Sequence, residues 1–202
     1  MILDNEFVWL IGIPSLVMVL FVLRNRGNSL SRLLFVSVFW MYILLVVQFV
    51  AFPIPIAKGI GDESKVFPLE LPYVNLTPFY FGRFLTPDKI FLLVIQNIIL
   101  TIPFGFGLNF IAHIKPKNLF WLSIVFGAGM EAVQFLIALL STSLGMGITG
   151  RIVDINDAIL NIAGVLLGYG LFKLFASWYR TIQHRFKDKE PFVYIHEVAN
   201  RI

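Results

Sequence analysis

Apolar residues in this 202-residue chain gather into five long, nearly unbroken stretches, at 7–23, 33–52, 90–111, 119–140 and 155–172. Neither the period-2 alternation of a half-buried strand nor the one-sided stripe of a soluble helix runs through them. Together they make up 99 residues and hold two charged side chains, Glu131 and Asp157, while the other 26 of the 28 charges lie outside. At 1.5 Å per helical residue, stretches of this length match a hydrocarbon layer about 30 Å thick. The expected fold is therefore all-α: a polytopic membrane helical bundle of about five transmembrane helices, forming one integral domain over 1–202. The first stretch follows Asp4 and Glu6, has no positive run before it, and is followed by Arg24 and Arg26 with no small-residue cleavage site. It reads as an anchor, not a signal peptide. No internal repeat is visible, since only one stretch carries a Glu and the five do not divide into matching halves.

The connection at 53–89 contains six of the ten prolines, which remove amide donors and forbid one continuous helix. Within it, residues 74–85 read VNLTPFYFGRFL, too short to span and too aromatic to leave in water. This predicts either an interfacial or re-entrant segment covering the bundle, or an ordinary loop whose aromatics sit in the headgroup belt. The tail at 173–202 mixes Trp178, Tyr179 and Phe186 with Arg180, Arg185, Lys187 and Lys189, as expected of a cytoplasmic basic anchor on anionic lipid.

Composition sharpens this picture. Hydrophobic residues make up 58% and charged ones 14%, against about 25% charged in soluble domains. With no cysteine, disulfides, thiolate nucleophiles and sulfur-based metal sites are excluded. The net charge of +4 follows the positive-inside rule more economically than it indicates nucleic acid, for which no binding module is visible. If the spans alternate, one side receives the 24–32 loop, the 112–118 loop and the tail, with 11 Lys and Arg, and the other side has 5. The N-terminus is expected outside the cell membrane and the C-terminus in the cytoplasm.

Polar groups inside a span are costly, roughly 2.5 to 3.5 kcal/mol per central charge, and mark a partner or a function. Here they share a depth. Gln96 and Asn97 lie about two turns into the third span, with Pro103 and Gly105 deeper. Glu131 and Gln134 share a face in the fourth. If the fifth helix starts near Arg151, then Arg151, Asp154, Asp157 and Asn161 fall within an arc of about 120°. The stripe continues through Gly164 and Gly168, a GxxxG spacing that lets a neighbouring helix approach closely. The glycines alone are explained by packing. The charged set reads either as an ion-pair network fixing helix register or as a site. One guanidinium against three carboxylates leaves excess negative charge, which a proton, a cation or a donor-rich ligand must balance.

Asn75-Leu-Thr-Pro78-Phe79, the run from Gln96 to Phe106, Glu131-x-x-Gln134, and Arg151-x-x-Asp154-x-x-Asp157-x-x-x-Asn161-x-x-Gly164 together resemble the VanZ-like family over about 75–168. Thr77 stands where an aliphatic residue is common in that family. The resemblance implies a multi-pass protein of the bacterial cell membrane associated with glycopeptide resistance, to teicoplanin more than vancomycin. The motif residues it implies are Asn75, Pro78, Phe79, Asn97, Pro103, Gly105, Glu131, Gln134, Arg151, Asp154, Asp157, Asn161 and Gly164.

Three mechanisms fit these residues. In the leading one, Asn75, Pro78, Phe79, Asn97, Glu131, Gln134, Arg151, Asp154, Asp157 and Asn161 bind a polar headgroup. The partner would be a membrane lipid, a lipid-linked cell-wall intermediate or the acyl-sugar part of a lipoglycopeptide, with Arg151 as a fork for phosphate or carboxylate. In the second, Glu131 with Asp154 or Asp157 acts as an acid/base pair on an envelope lipid. No nucleophile with an adjacent base is apparent, because Thr142, Ser143 and Thr149 have no histidine near them and His113, His184 and His196 fall on the cytoplasmic side. In the third, an intramembrane carboxyl couples transport to protons, which the lack of duplication disfavours. No cofactor and no metal is expected. Hard-cation coordination by Glu131, Asp154, Asp157 and Asn161 is chemically feasible but opposed by Arg151 in the same arc.

Overall fold

The computed structural model describes residues 2–3, 6–51, 54–55, 74–81, 86–143, 153–182 and 192–201. Five helices there are long and apolar enough to cross a membrane: α1 (Glu6–Asn25), α2 (Leu30–Ala51), α3 (Pro87–Ile111), α4 (Pro116–Ser143) and α5 (Ile155–Ile182). Each contains the apolar stretch expected of it, save that α2 stops one residue short, at Ala51. The fold class is all-α, as the hydrophobic pattern predicts, since in lipid every backbone group must be satisfied within its own segment. A sixth helix, α6 (Phe192–Ala199), follows in the tail and was not expected. Four two-residue strands complete the described elements. β1 (Ile2–Leu3) pairs antiparallel with β2 (Ile54–Pro55), and β3 (Val74–Asn75) pairs parallel with β4 (Val153–Asp154).

The turn from α1 to α2 is written locally. Gly27, at φ 76°, takes the left-handed conformation that a glycine adopts without a Cβ penalty. Asn28 N–H donates to the Leu23 carbonyl at 3.2 Å and Gly27 N–H to that of Arg24 at 3.0 Å, the paired bonds of a Schellman cap. Side chains then cross-link the pair: Trp9 Nε1 donates to Gln48 Oε1 at 3.1 Å, and Trp40 Nε1 to the Gly12 carbonyl at 3.0 Å.

The centre of the bundle is the pairing of α3 with α5, where backbone meets backbone. A Cβ on Gly105 would strike the Val165 carbonyl, one on Gly164 the Thr101 hydroxyl, and one on Gly168 the Ile102 carbonyl. The Gly164/Gly168 spacing thus does what such a spacing does in lipid: it lets two helices touch without side chains between them. Gly127 brings α4 onto α5 in the same way, against Ala158 and Ile162. Pro103 inside α3 removes one helical amide. Three residues earlier the Leu100 carbonyl accepts from the Tyr42 hydroxyl at 2.8 Å, tying α2 to this region.

At the C-terminal end of α3 lies an aromatic core of Phe110, Phe172, Tyr194 and Val198, with Phe35, Phe106 and Phe175 packed around it. Phe35 stacks on Phe110 with centroids 4.5 Å apart, and Phe110 meets Phe172 edge-on at 5.4 Å. α6 closes this end: the Tyr194 hydroxyl donates to the Phe110 carbonyl, and that of Tyr179 to the Phe192 carbonyl at 3.1 Å. Burial pushes the Tyr194 phenol above its ordinary range, so it stays a donor at neutral pH. Tyr179 is therefore part of the core and not a lipid-facing anchor, whereas Trp178 is exposed. Arg185, Phe186, Lys187 and Lys189 lie outside the described residues.

Candidate functional site

The other end of the α3 and α5 pair is polar. It is assembled from the start of α5 outward. β4 holds residues 153–154 extended against β3, with Val74 opposite Val153 and Asn75 opposite Asp154. α5 consequently begins at Ile155, and Asp154 precedes it as its cap: Asn156 N–H donates to Asp154 Oδ1 at 2.8 Å. This corrects the arc expected for a helix starting near Arg151. Asp154 is not on the helical stripe, because strand pairing with a segment 79 residues away keeps its backbone extended, and Arg151 lies outside the described residues. Asp157, Asn161, Gly164 and Gly168 do run along one face of α5.

Residues 77–80 form a tight turn over this cap. Tyr80 N–H returns to the Thr77 carbonyl at 3.3 Å. Pro78 occupies the second position, where its fixed φ suits the turn, and Phe79 the third at φ 62°. A bulky non-glycine residue in that conformation is strained by about 1 to 3 kcal/mol and persists only where its surroundings impose it. What imposes it is Asn156, which the sequence reading missed. Its side-chain oxygen accepts Phe79 N–H at 2.5 Å, and its amide nitrogen donates to the Tyr80 carbonyl at 2.8 Å. Asn75 works from the strand side. Its amide donates to the Tyr80 carbonyl at 2.8 Å and to Asp154 Oδ1 at 3.0 Å, while its oxygen accepts Thr77 N–H at 3.1 Å. The result presents the Phe79 ring at the molecular surface, 78% exposed. The expected interfacial or re-entrant segment is thus, over 74–81, a strand and a clamped turn; residues 82–85 lie outside the described set.

Two further helices deliver side chains to the same place. From α4, Glu131 Oε2 accepts Asp154 N–H at 3.2 Å, and the residue is 7% exposed. From α3, Asn97 Nδ2 donates to Asp157 Oδ1 at 2.8 Å. Asn161, one turn along α5 from Asp157, is 1% exposed, and among the described residues its Oδ1 has no hydrogen-bond partner. Gln134 is half-buried one turn beyond Glu131. Asn75, Asn97, Glu131, Asp154 and Asp157 are therefore brought together from four chain segments, with Pro78 and Phe79 in the turn above.

Chemically, the set divides in two. Asn75, Asp154 and Asn156 spend their bonds on fixing the turn and the start of α5. Among the described residues, Glu131 and Asp157 each accept one hydrogen bond and sit within reach of each other's charge, so acceptor capacity is left over on both. Among the described residues, no lysine or arginine forms an ion pair with Glu131, Asp154 or Asp157. Adding the Asn161 oxygen, this is a patch of buried and half-buried acceptors, which calls for donors or positive charge from a ligand, a proton or a residue outside the described set. His113 and His196 lie at the aromatic end, beyond the far terminus of α3 and in α6.

No curated protein and no solved structure matches the chain. A family model, VanZ/LLP1, matches residues 39–176, from the middle of α2 through most of α5 and hence across every helix that supplies the polar end. This multi-pass membrane protein belongs to the VanZ/LLP1 family.

Proposed function

We propose that the polar end binds the headgroup of a lipid-linked cell-envelope intermediate, or of a lipoglycopeptide, at the outer face of the bacterial membrane, and so contributes to resistance to teicoplanin-type glycopeptides. The observation that carries the reading is the gathering of buried Glu131 and Asn161 with half-buried Asp157 as acceptors with capacity left, beneath an aromatic turn that four side-chain hydrogen bonds hold in a strained conformation. A sugar or peptide headgroup is rich in hydroxyl and amide donors and matches such a patch, and the exposed Phe79 ring is placed to lie along an acyl chain. The family supports the link to glycopeptides. The excess of Lys and Arg on the loops at the aromatic end favours an orientation with that end in the cytoplasm, the N-terminus outside and the polar end in the outer leaflet. Arg151, in the segment leading to β4, would supply the fork for a phosphate or carboxylate.

The test uses purified protein in nanodiscs titrated with teicoplanin and, separately, with a lipid-linked wall precursor, for wild type, Glu131→Gln and Arg151→Ala. Binding weakened about tenfold or more in either variant is expected. Unchanged binding in both overturns the site.

A further inference from the structure

At the aromatic end, away from the polar cluster, the α3–α4 connection, α5 and α6 enclose a pocket of about 230 Å³. Its polar lining comes from His113, Lys115, Arg201, Tyr169 and Asn109, and among the described residues no acidic side chain lines it. Asn109 is 6% exposed. Among the described residues its amide nitrogen makes one long bond, 3.4 Å to the Gly105 carbonyl, so one N–H of that amide is left for a ligand. Glu197, one turn back on α6, pairs with Arg201 and holds the guanidinium in place while using only part of its five donors. Lys173 stands over the Tyr169 ring, 5.7 Å from its centroid, and adds to the positive field. α4 begins at the pocket wall with Pro116, so its positive dipole end adds to that field.

We propose that this pocket binds the phosphate of an anionic lipid headgroup. Two cationic side chains, Lys115 and Arg201, with an imidazole, a phenol and a buried amide line one recess, which is the donor set a phosphate ester requires. Phe172, Ile114 and Val198 form the apolar part of the wall, suited to the carbon arms of the ester. The site is independent of the polar end and of how the chain is oriented. A free phosphate has the same headgroup chemistry, and the arms of the experiment separate the two.

The full chain in detergent is examined by native mass spectrometry with phosphatidylglycerol, phosphatidylcholine or inorganic phosphate. Wild type is expected to retain phosphatidylglycerol about tenfold better than phosphatidylcholine, and the double variant Lys115→Gln/Arg201→Gln to lose that preference. Lys117→Gln, an exposed charge outside the pocket, is expected to keep it. Glu197→Gln, which removes the carboxylate paired with Arg201 and deletes no pocket donor, is expected to keep the preference and guards against reading misfolding as lost binding. Displacement of the lipid by millimolar inorganic phosphate assigns the site to phosphate alone. Retention against it assigns the site to the lipid and upholds the proposal, whereas displacement overturns the lipid assignment. Equal retention of the two lipids by wild type, or a preference that survives the double variant, overturns it.

Discussion

The two ends of the α3 and α5 pair are closed by opposite means. At the aromatic end, α6 is held mainly by ring area: Phe110, Phe172 and Tyr194 pack against one another, and two phenol hydroxyls finish the contact. At the polar end, the turn at 77–80 is held by directional bonds from Asn75 and Asn156, and its own Phe79 ring faces outward. The aromatic cluster uses its apolar surface on itself. The polar cluster leaves acceptors on Glu131, Asp157 and Asn161. A fold that needed only to close a helix bundle would repeat the first solution, because rings and leucines in lipid cost nothing in desolvation, whereas buried carboxylates do. On the proposed reading, the asymmetry separates stability from function along one helix pair.

Substitutions of decreasing severity break or sharpen this contrast. The largest effect belongs to the seam on which both ends depend. Gly164→Leu sets a side chain against the Thr101 hydroxyl and the backbone of Ile98, which move only if the helices part. We expect a loss of about 3 kcal/mol or more and no monodisperse protein in detergent. Gly170→Ala, in the same helix with nothing near its Cβ, is expected to raise the melting temperature instead, by helix propensity worth about 0.8 to 1 kcal/mol. Next comes Asn156→Leu, which strips the Phe79 amide and one bond of the Tyr80 carbonyl, at about 2 to 4 kcal/mol, with faster proteolysis inside 77–80. Smaller again is Tyr194→Phe, which removes one hydroxyl but keeps the ring, at about 1 kcal/mol and no change in cleavage of the turn. If Asn156→Leu costs no more than Tyr194→Phe, the two ends are not held differently and the contrast fails.

Which parts were legible in the sequence follows the same division. The five spanning helices are written in the hydrophobic pattern because the bilayer admits no other solution for 20 apolar residues. The close α3–α5 approach is visible in Gly164 and Gly168, a local spacing. α6 was not visible: eight residues with Tyr194, Val198 and Ala199 on the buried face have meaning only against Phe110 and Phe172, which lie far away in the chain. Asn156 escaped for a related reason. Its role depends on β3 meeting β4, two residues against two, too short for any alternation to register and set by contacts 79 residues apart. With α5 taken to start near Arg151, Asn156 lay off the polar stripe; with the true start at Ile155, it is the second residue of the helix, opposite the turn it clamps.

The smallest change in stability is the one that bears hardest on function. Asp157→Asn keeps the shape of the side chain and an oxygen where Oδ1 accepts from Asn97 Nδ2, so the link between α3 and α5 survives. It also removes a charge from a patch already holding Glu131 and Asp154, which relieves like-charge repulsion. The stability of Asp157→Asn should therefore stay within about 1 kcal/mol of wild type, displaced upward rather than downward, as read from its melting temperature. Were the polar end built only to hold helices in register, such a variant would retain full activity. If it is built to receive donors from a headgroup, replacing a charged acceptor by an amide that also carries two donors should weaken teicoplanin binding about tenfold and lower the resistance conferred on a sensitive host in step. A variant as stable as wild type yet deaf to the ligand places Asp157 in the binding site; one that is stable and binds normally returns it, and the patch around it, to the framework.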